Sequence, residues 1–118
     1  MLIGIDIIEN ERFARALKRR PRLAERVFTA GEREYCMSRP DPARHFAARF
    51  AAKEAVGKAL GTGVLCWQEI EILSGGQPEV RTTGATGRRA AALAAGKLSL
   101  SLSHCGPVSV AVAAAHPR

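Results

Sequence analysis

The stretch ARHFAARFAAKEAVGKAL, residues 43–60, is rich in alanine and larger apolar side chains and carries few charges. This pattern is typical of a helix that is buried on most of its sides. Pro40 and Pro42 precede the stretch and Gly61 follows it, and prolines favour a helix start as glycine favours a helix end. We therefore expect a long central helix around which the rest of the chain packs.

The segments before this helix predict a strand and a short helix. Residues 2–8 form an apolar, β-branched run interrupted by one glycine and by Asp6, which suits a buried strand. Thr29 and Glu32 have the spacing of a capping box, in which each residue satisfies the other's backbone N–H. A helix is therefore expected over residues 30–37.

The segments after the central helix predict two hairpins around one more helix. The first hairpin is expected to pair residues 69–72 with 78–82 through a turn at Gly75-Gly76. An alanine-rich helix follows, which Thr86 caps and which reaches Gly96. The second hairpin is expected to pair residues 98–103 with 108–114 and to carry His104 at its tip. The order strand, helices, hairpin, helix, hairpin is that of an α+β fold.

The length of 118 residues, 47% of them hydrophobic, fits a single domain over residues 1–118 with a core of its own. The longest apolar run, residues 108–115, is far shorter than the roughly 20 residues of a membrane span. The N-terminus lacks the features of a signal or transit peptide. Cys36, Cys66 and Cys105 contain no C-x-x-C pair, so we interpret them as reduced thiols. We expect a cytoplasmic protein with no membrane partner.

The formal net charge of +7 implies an acidic partner, which could be nucleic acid, anionic lipid, a phosphate-rich small molecule or an acidic protein. Much of the excess lies in residues 12–26, where Glu25 is the one acidic residue. Phe13, Ala16 and Leu17 have the spacing of one buried helical stripe, so the arginines of this segment face outward. A solvated face without a partner is the alternative.

Four polar residues occur at three places where the local pattern favours apolar side chains. Asp6 lies within the apolar strand, where an unpaired carboxylate is costly. Glu54 and Lys58 lie at i and i+4 of the central helix, either as an ordinary surface ion pair or as part of a site. His104 at its turn is either incidental or functional. If the three places meet, they suit a magnesium site for a phosphate substrate.

Three blocks of the sequence are distinctive when taken together. They are Gly4-Ile5-Asp6-Ile7-Ile8-Glu9; Arg49-Phe50-Ala51-Ala52-Lys53-Glu54-Ala55 continued by Lys58-Ala59 and Gly61-Thr62-Gly63; and Leu100-Ser101-Leu102-Ser103-His104. In this order they resemble the signature motifs of the holo-[acyl-carrier-protein] synthase family, the short bacterial type of 4′-phosphopantetheinyl transferase. The resemblance implies an α+β transferase domain with an antiparallel sheet packed on the long central helix, active as an oligomer.

The resemblance also implies an activity in fatty acid biosynthesis. The 4′-phosphopantetheine group of coenzyme A would pass to a serine of apo-acyl carrier protein, giving the holo form and adenosine 3′,5′-bisphosphate. By resemblance Asp6 and Glu54 hold magnesium, and Lys58 neutralises charge that develops on the phosphates. His104 reaches those phosphates or the 3′-phosphate of coenzyme A. The implied coenzyme A contacts are Arg49, Lys53, Lys58 and His104.

The implied catalytic residues are Glu54, Lys58 and His104. The proton of the attacking serine could be accepted by Glu54, by His104 or by a metal-bound water. We favour a metal-bound water assisted by Glu54.

The resemblance has consequences for partners as well. Larger transferases of this kind resemble two copies of the domain with the site between them, so a chain with one copy needs a second subunit. We predict a homotrimer with intersubunit active sites. Acidic acyl carrier protein is expected to dock on the outward arginines of the basic segment, which are Arg12, Arg15, Arg19 and Arg22.

Two other classes of protein fit the residues less well. A small basic nucleic-acid-binding protein would leave Asp6 and Glu54 unexplained, and aromatic residues make up only 5% of the chain. A structural oligomerisation module leaves the same carboxylates without a role. We therefore expect no nucleic acid partner. The sequence departs from the family pattern at Leu2, at Gly57 within the central helix and at Cys105 after the histidine.

Overall fold

The computed structural model describes residues 1–94 and 97–117. Its elements, in chain order, are β1 (Leu2–Glu9), α1 (Asn10–Arg19), α2 (Leu23–Val27), α3 (Ala30–Met37), α4 (Pro42–Leu60), a 3-10 turn (Trp67–Glu69), β2 (Ile70–Leu73), β3 (Glu79–Thr82), α5 (Gly84–Ala94), β4 (Leu98–Cys105) and β5 (Val108–Ala115). This order confirms the predicted α+β class.

The central helix α4 begins and ends where the sequence predicts, within one residue. Pro42 occupies its first turn, and Gly61 closes it in the left-handed region at φ +76°. Most α4 residues are buried, including Ala51, Ala55 and Val56 with no exposed surface. The helix therefore forms the middle of the hydrophobic core, as its composition indicates.

Two antiparallel sheets surround α4. The larger has the strand order β1-β5-β4, so the first strand of the chain pairs with the last and β5 lies in the middle. In its register Asp6 lies opposite Ala111, and His104 lies opposite Ser109. The smaller sheet is the β2-β3 hairpin. The antiparallel sheet on a central helix is thus confirmed, and the predicted hairpins are both present.

Strand β1 crosses α4 at very short range at Gly4. A Cβ atom at this position would lie 2.7 Å from the Ala59 nitrogen and 2.9 Å from Lys58 Cβ. Only a residue without a side chain permits this approach. The close crossing places the following residues of β1, including Asp6, beside the C-terminal half of α4.

The prediction that β1 is a buried strand is wrong for one of its faces. Ile3, Ile5 and Ile7 are 62%, 53% and 63% exposed. They point away from α4, because alternate residues of a strand face opposite sides of the sheet. The apolar composition of β1 therefore reflects an exposed outer face. None of the described residues covers this face.

The N-terminal helices mostly follow the sequence pattern. In α3, Thr29 and Glu32 form both hydrogen bonds of the predicted capping box. In α1, Phe13 is buried while the arginines of the helix are exposed. The five-residue α2 was not predicted, because a segment of that length is too short to show a helical period.

The start of α5 differs from the prediction. Thr86 does not cap the helix but lies buried within its first turn. The capping group is the Glu69 carboxylate, which accepts hydrogen bonds from the Ala85 and Thr86 backbone N–H groups and from the Thr86 hydroxyl. The predicted end of the helix at Gly96 lies outside the described residues.

The glycine within α4 has a packing role. A Cβ atom at Gly57 would lie 2.5 Å from the Gly63 carbonyl carbon and 2.8 Å from the Val64 nitrogen. The loop after α4 therefore folds back against the helix at this point, with a hydrogen bond of 3.0 Å from Gly63 N–H to the Gly57 carbonyl.

None of the helices in the described part of the chain is long and apolar enough to cross a membrane.

Candidate active site

Asp6 of β1 and Lys58 of α4 form the first contact of the site. Lys58 Nζ lies 3.1 Å from Asp6 Oδ1 and donates a second hydrogen bond of 2.9 Å to the Ile5 carbonyl oxygen. The Asp6 side chain is 19% exposed and that of Lys58 is 51% exposed. The ordinary i,i+4 ion pair with Glu54 is therefore not the arrangement that Lys58 adopts.

Glu54 lies on the same side of α4 and is close to Asp6. Partial burial and the nearby Asp6 charge raise the pKa of the Glu54 carboxyl, against the opposing effect of Lys58. A carboxylate whose ionisation is opposed by burial and by a neighbouring negative charge is stabilised by a bound cation. The pair Asp6 and Glu54 predicted from the sequence is thus brought together by the fold.

The donor set of this pair fits magnesium. Mg²⁺ prefers hard oxygen ligands and binds many phosphate substrates through one or two carboxylates. Within residues 1–94 and 97–117, no group of three or more His, Cys, Asp or Glu side chains is placed to hold a metal ion. The two oxygen-bearing side chains Asp6 and Glu54 are thus fewer than a metal site built from protein ligands alone would need.

A second cluster lies around Arg49, whose side chain reaches a pocket on another side of α4. Arg49 is 5% exposed, its guanidinium lies 4.3 Å from the centre of the Tyr35 ring, and it donates to the Ser74 hydroxyl and the His45 carbonyl oxygen. Its Nε is buried without a hydrogen-bond partner in the described structure. A buried donor of this kind suits an anionic ligand.

His104 belongs to this Arg49 pocket. The polar side chains and glycines that line the pocket are Tyr35, Arg39, His45, Arg49, Ser74, Gly75, Gly76 and His104. Burial and the charge of Arg44 lower the pKa of His104, and burial followed by the charge of Arg49 lowers the pKa of His45. None of the salt bridges found among the described residues involves Arg39, Arg44 or Arg49. The pocket is therefore cationic and without an internal counter-charge.

The two clusters lie on opposite sides of α4. Arg49 and Lys58 are nine residues apart, and at about 100° per residue this separation amounts to two and a half turns. Of the two alternatives given for His104, a position beside Asp6 and Glu54 is therefore not the arrangement found within a single chain. His104 lies on β4, which is the edge strand on the opposite side of β5 from β1, the strand that carries Asp6.

Lys53 does not belong to either cluster, so the prediction that it contacts coenzyme A is wrong. Its side chain is fully buried and lies 2.7 Å from Glu32 Oε1. Its ammonium group also donates to the carbonyl oxygens of Val27 and Trp67, at 2.7 and 2.9 Å. These three partners leave it no surface for a ligand. Sequence periodicity did not reveal this, because Glu32 belongs to a different helix.

The predicted carrier-protein contacts are all exposed. Arg12, Arg15 and Arg19 lie on the outer face of α1, and Arg22 lies just before α2. Helix α1 directly follows β1 and packs against α4, so the basic face adjoins the side of the fold that carries Asp6. A groove next to Arg12 is lined by apolar side chains that include Phe13 and Phe50.

Sequence reasoning missed four polar side chains of the Arg49 pocket, which are Tyr35, Arg39, His45 and Ser74. A signal for His45 was present, since His45 precedes Arg49 by four residues and therefore lies on the same helical face. Arg39 follows the end of α3, and only the tertiary fold places it near the pocket.

The sequence matches the family model of the 4′-phosphopantetheinyl transferase superfamily over residues 2–113. The chain belongs to this superfamily. It is 50% identical over 114 residues to holo-[acyl-carrier-protein] synthase of Moorella thermoacetica, a match that covers 93% of this chain and 89% of the relative. It is 45% identical over 115 residues to the protein of the same name from Geotalea daltonii, covering 92% of each chain.

Solved structures of the 4′-phosphopantetheinyl transferase superfamily share the fold. The structure described as the ACPS-CoA complex of Chronobacterium ammoniagenes superimposes with a TM-score of 0.85 and 27% identity, covering 99% of this chain and 97% of that one. The transferase resemblance of the three sequence blocks is thereby confirmed, as is the expected α+β fold.

Proposed function

We propose that this superfamily member is a holo-[acyl-carrier-protein] synthase. It transfers the 4′-phosphopantetheine group from coenzyme A to a serine hydroxyl of apo-acyl carrier protein and releases adenosine 3′,5′-bisphosphate. The observation that carries the proposal is the pair of neighbouring carboxylates, Asp6 and Glu54, beside the exposed ammonium group of Lys58. Carboxylates that hold a cation next to a lysine are suited to phosphoryl transfer.

Magnesium is the proposed metal of this site. When bound, it neutralises charge on the pyrophosphate and helps to orient the phosphorus that is attacked. Asp6 and Glu54 would hold it. Lys58, already directed toward β1 by its hydrogen bonds to Asp6 and Ile5, retains an exposed ammonium that can stabilise negative charge on the phosphate oxygens.

The proposed role of Glu54 in proton removal is to assist a metal-bound water that accepts the proton of the attacking serine. The serine hydroxyl attacks phosphorus, the bond from phosphorus to the bridging pyrophosphate oxygen breaks, and adenosine 3′,5′-bisphosphate leaves. The proton of the serine passes to the base.

The Arg49 pocket is the proposed anchor for the distal part of coenzyme A. The buried guanidinium of Arg49 and the exposed ring of His104 suit the 3′-phosphate, the part of coenzyme A that lies far from the reacting pyrophosphate. Because Arg49 and Lys58 lie on opposite sides of α4, one coenzyme A molecule would use the Arg49 pocket of one subunit and the Lys58 side of another.

We propose a homotrimer with intersubunit sites as the active assembly. The outer face of β1, with Ile3, Ile5 and Ile7, provides an apolar surface for such contacts. It continues onto β5 through Val112, which lies opposite Ile5 and is 37% exposed. A second copy of the chain is its proposed occupant, and the separation of the two clusters supports a site shared between subunits.

Acyl carrier protein is the proposed partner of the basic face on α1. Arg12, Arg15, Arg19 and Arg22 carry no counter-charge in any salt bridge of the described structure. An acidic protein therefore gains favourable contacts along the whole face.

We further propose that the chain folds as one domain over residues 1–118, acts in the cytoplasm and supports fatty acid biosynthesis.

The proposed function is tested by incubating purified apo-acyl carrier protein with the enzyme, coenzyme A and magnesium, followed by mass spectrometry. Transfer adds about 340 Da to the carrier, the mass of the phosphopantetheine group that a phosphoryl transfer of this kind delivers. Omission of magnesium, and a carrier whose acceptor serine is replaced by alanine, are the controls. Absence of the added mass on every carrier protein tested would refute the assignment.

A further inference from the structure

Ser109 is a buried polar residue on an otherwise apolar strand face. It is 1% exposed, and the next inward-facing residues of β5 are Ala111 and Ala113. Its hydroxyl donates a hydrogen bond of 2.7 Å to Asn10 Oδ1, and its oxygen lies 2.9 Å from Nδ1 of His104. The side chain therefore connects the start of α1 with the pocket histidine.

The three side chains together determine which nitrogen of His104 carries hydrogen. A serine hydroxyl has one hydrogen, and in this structure that hydrogen is donated to Asn10. Ser109 Oγ can therefore only accept from His104, so Nδ1 is protonated. In a neutral imidazole the other nitrogen then has no hydrogen, and Nε2 of His104 is an acceptor.

Nε2 is the ring nitrogen left for a ligand. No hydrogen bond involves it in the described parts of the chain, and the ring lines the Arg49 pocket. A phosphate monoester, whose second pKa is about 6, is mainly a dianion at pH 7.5, and all of its oxygens that carry the charge are then acceptors. Two acceptors cannot form a hydrogen bond with each other. His104 can thus bond to a phosphate through Nε2 only after the ring has taken up a second proton.

We propose that Asn10 and Ser109 are positioning residues that make phosphate binding by His104 conditional on protonation, so that the pocket takes up a proton when it binds a phosphate ester. The inference rests on the proposed function, which supplies the 3′-phosphate as ligand. Neither positioning residue touches that ligand, and both act through the imidazole.

The charges around His104 agree with this coupling. The groups that face the ring or share its pocket are Tyr35, Arg39, Arg44, His45 and Arg49, with Asn10 and Ser109 behind it. Among these there is no carboxylate. Burial and Arg44 lower the pKa of the free ring, so at neutral pH it is uncharged. A bound phosphate brings negative charge next to the His104 ring and therefore favours its protonated, imidazolium form.

The experiment is titration calorimetry of the intact enzyme with adenosine 3′,5′-bisphosphate at pH 7.5, in two buffers that differ in ionisation enthalpy. The difference between the buffers reports the number of protons taken up. Through His104 the wild-type protein should take up as much as about one proton, and its affinity should fall by up to about tenfold per pH unit above pH 7.

Ser109→Ala removes the acceptor that holds the hydrogen on Nδ1. The neutral ring can then present its hydrogen at Nε2 and bond to phosphate without a second proton. We expect at least half of the proton uptake to be lost and the affinity to vary less with pH. Asn10→Ala, which leaves the serine hydrogen free to point toward His104, should shift both quantities in the same direction by a smaller amount.

A double-mutant comparison separates this role from a structural one. In the His104→Gln background, Ser109→Ala should no longer change proton uptake, because its effect requires the imidazole. His116→Gln, which alters an exposed histidine that contacts Ser99, is the matched control and should behave like wild type. Residual uptake from His45 is common to all of these proteins.

An unchanged proton uptake in Ser109→Ala, together with a lower uptake in His104→Gln, would overturn the inference. So would an equal effect of Ser109→Ala in the presence and absence of His104. Modification of apo-acyl carrier protein by the same preparations is measured in parallel. Transfer that persists while the proton linkage is absent refutes this inference alone, whereas absence of transfer by wild type refutes the proposed function.

Discussion

Asp6 and Lys58 are 52 residues apart in the sequence and are joined by a contact of 3.1 Å. The contact exists because Gly4 lets β1 approach the backbone of α4. It directs Lys58 toward Asp6 on β1 rather than toward Glu54 on its own helix. The chemistry of the site therefore depends on the crossing of one strand and one helix.

The first prediction concerns the relative importance of the two clusters. Glu54→Gln keeps the size of the side chain but removes its charge, and we expect turnover to fall by about 10²- to 10⁴-fold. His104→Ala should leave measurable turnover and mainly raise the KM for coenzyme A. Steady-state assays of holo-carrier formation measure both variants, and the reverse ranking would contradict the assignment of roles.

The second prediction concerns the buried pair of Glu32 and Lys53. Lys53→Met leaves the Glu32 carboxylate buried without its cation, which should lower the free energy of unfolding by about 3–5 kcal/mol. The double variant Glu32→Gln with Lys53→Met should regain part of this loss, since no buried charge remains. Urea denaturation measures the change. Lys18→Met on the exposed face of α1 is the control and should leave the free energy of unfolding nearly unchanged. An equally small change for Lys53→Met would contradict the structural role of the Lys53–Glu32 pair.

The third prediction concerns the outer face of β1. Ile5→Arg places a charge in the middle of the exposed isoleucines and should convert a trimer into monomers with little activity. Light scattering coupled to size exclusion measures the mass. Met37→Arg replaces another exposed apolar side chain, 66% exposed at the end of α3, and should leave the trimer intact. A fully active monomer of the wild-type chain would rule out the intersubunit site.

The fourth prediction concerns the basic face. Charge reversal at Arg12, Arg15 and Arg19 should raise the KM for acyl carrier protein by about tenfold or more. It should also weaken the dependence of this KM on salt, because charges at the edge of an interface mainly change the rate of association. Binding of coenzyme A should be nearly unchanged. Arg88→Glu on α5 provides an exposed control. If the control and the α1 variants shift the KM alike, the effect is one of net charge and not of a docking face.

The fifth prediction concerns Gly57. Helix propensity alone favours alanine over glycine in a helix interior by about 1 kcal/mol. The contact of the new Cβ with the Gly63 backbone works against this gain, and overpacking of this kind costs about 1–3 kcal/mol. We expect Gly57→Ala to be neutral to destabilising in thermal or urea unfolding. A clear increase in stability would show that the loop after α4 moves away readily.

The sequence by itself determined the features that depend on neighbours along the chain. The length and boundaries of α4 followed from its composition, Pro42 and Gly61, and the capping box of α3 followed from Thr29 and Glu32. Each of these depends on contacts within one or two helical turns. The identity of the candidate carboxylates was also readable, because a charge in an apolar segment requires a partner.

Only the tertiary structure decided which of these side chains meet. Lys53 and Lys58 differ little in their sequence context, yet one is buried against Glu32 and the other reaches Asp6. Similarly, Ser109 reads as an ordinary strand residue until the pairing of β1, β5 and β4 brings it between Asn10 and His104. Side-chain partners across long sequence separations are set by strand order and by close backbone crossings, and a local pattern contains no information about either.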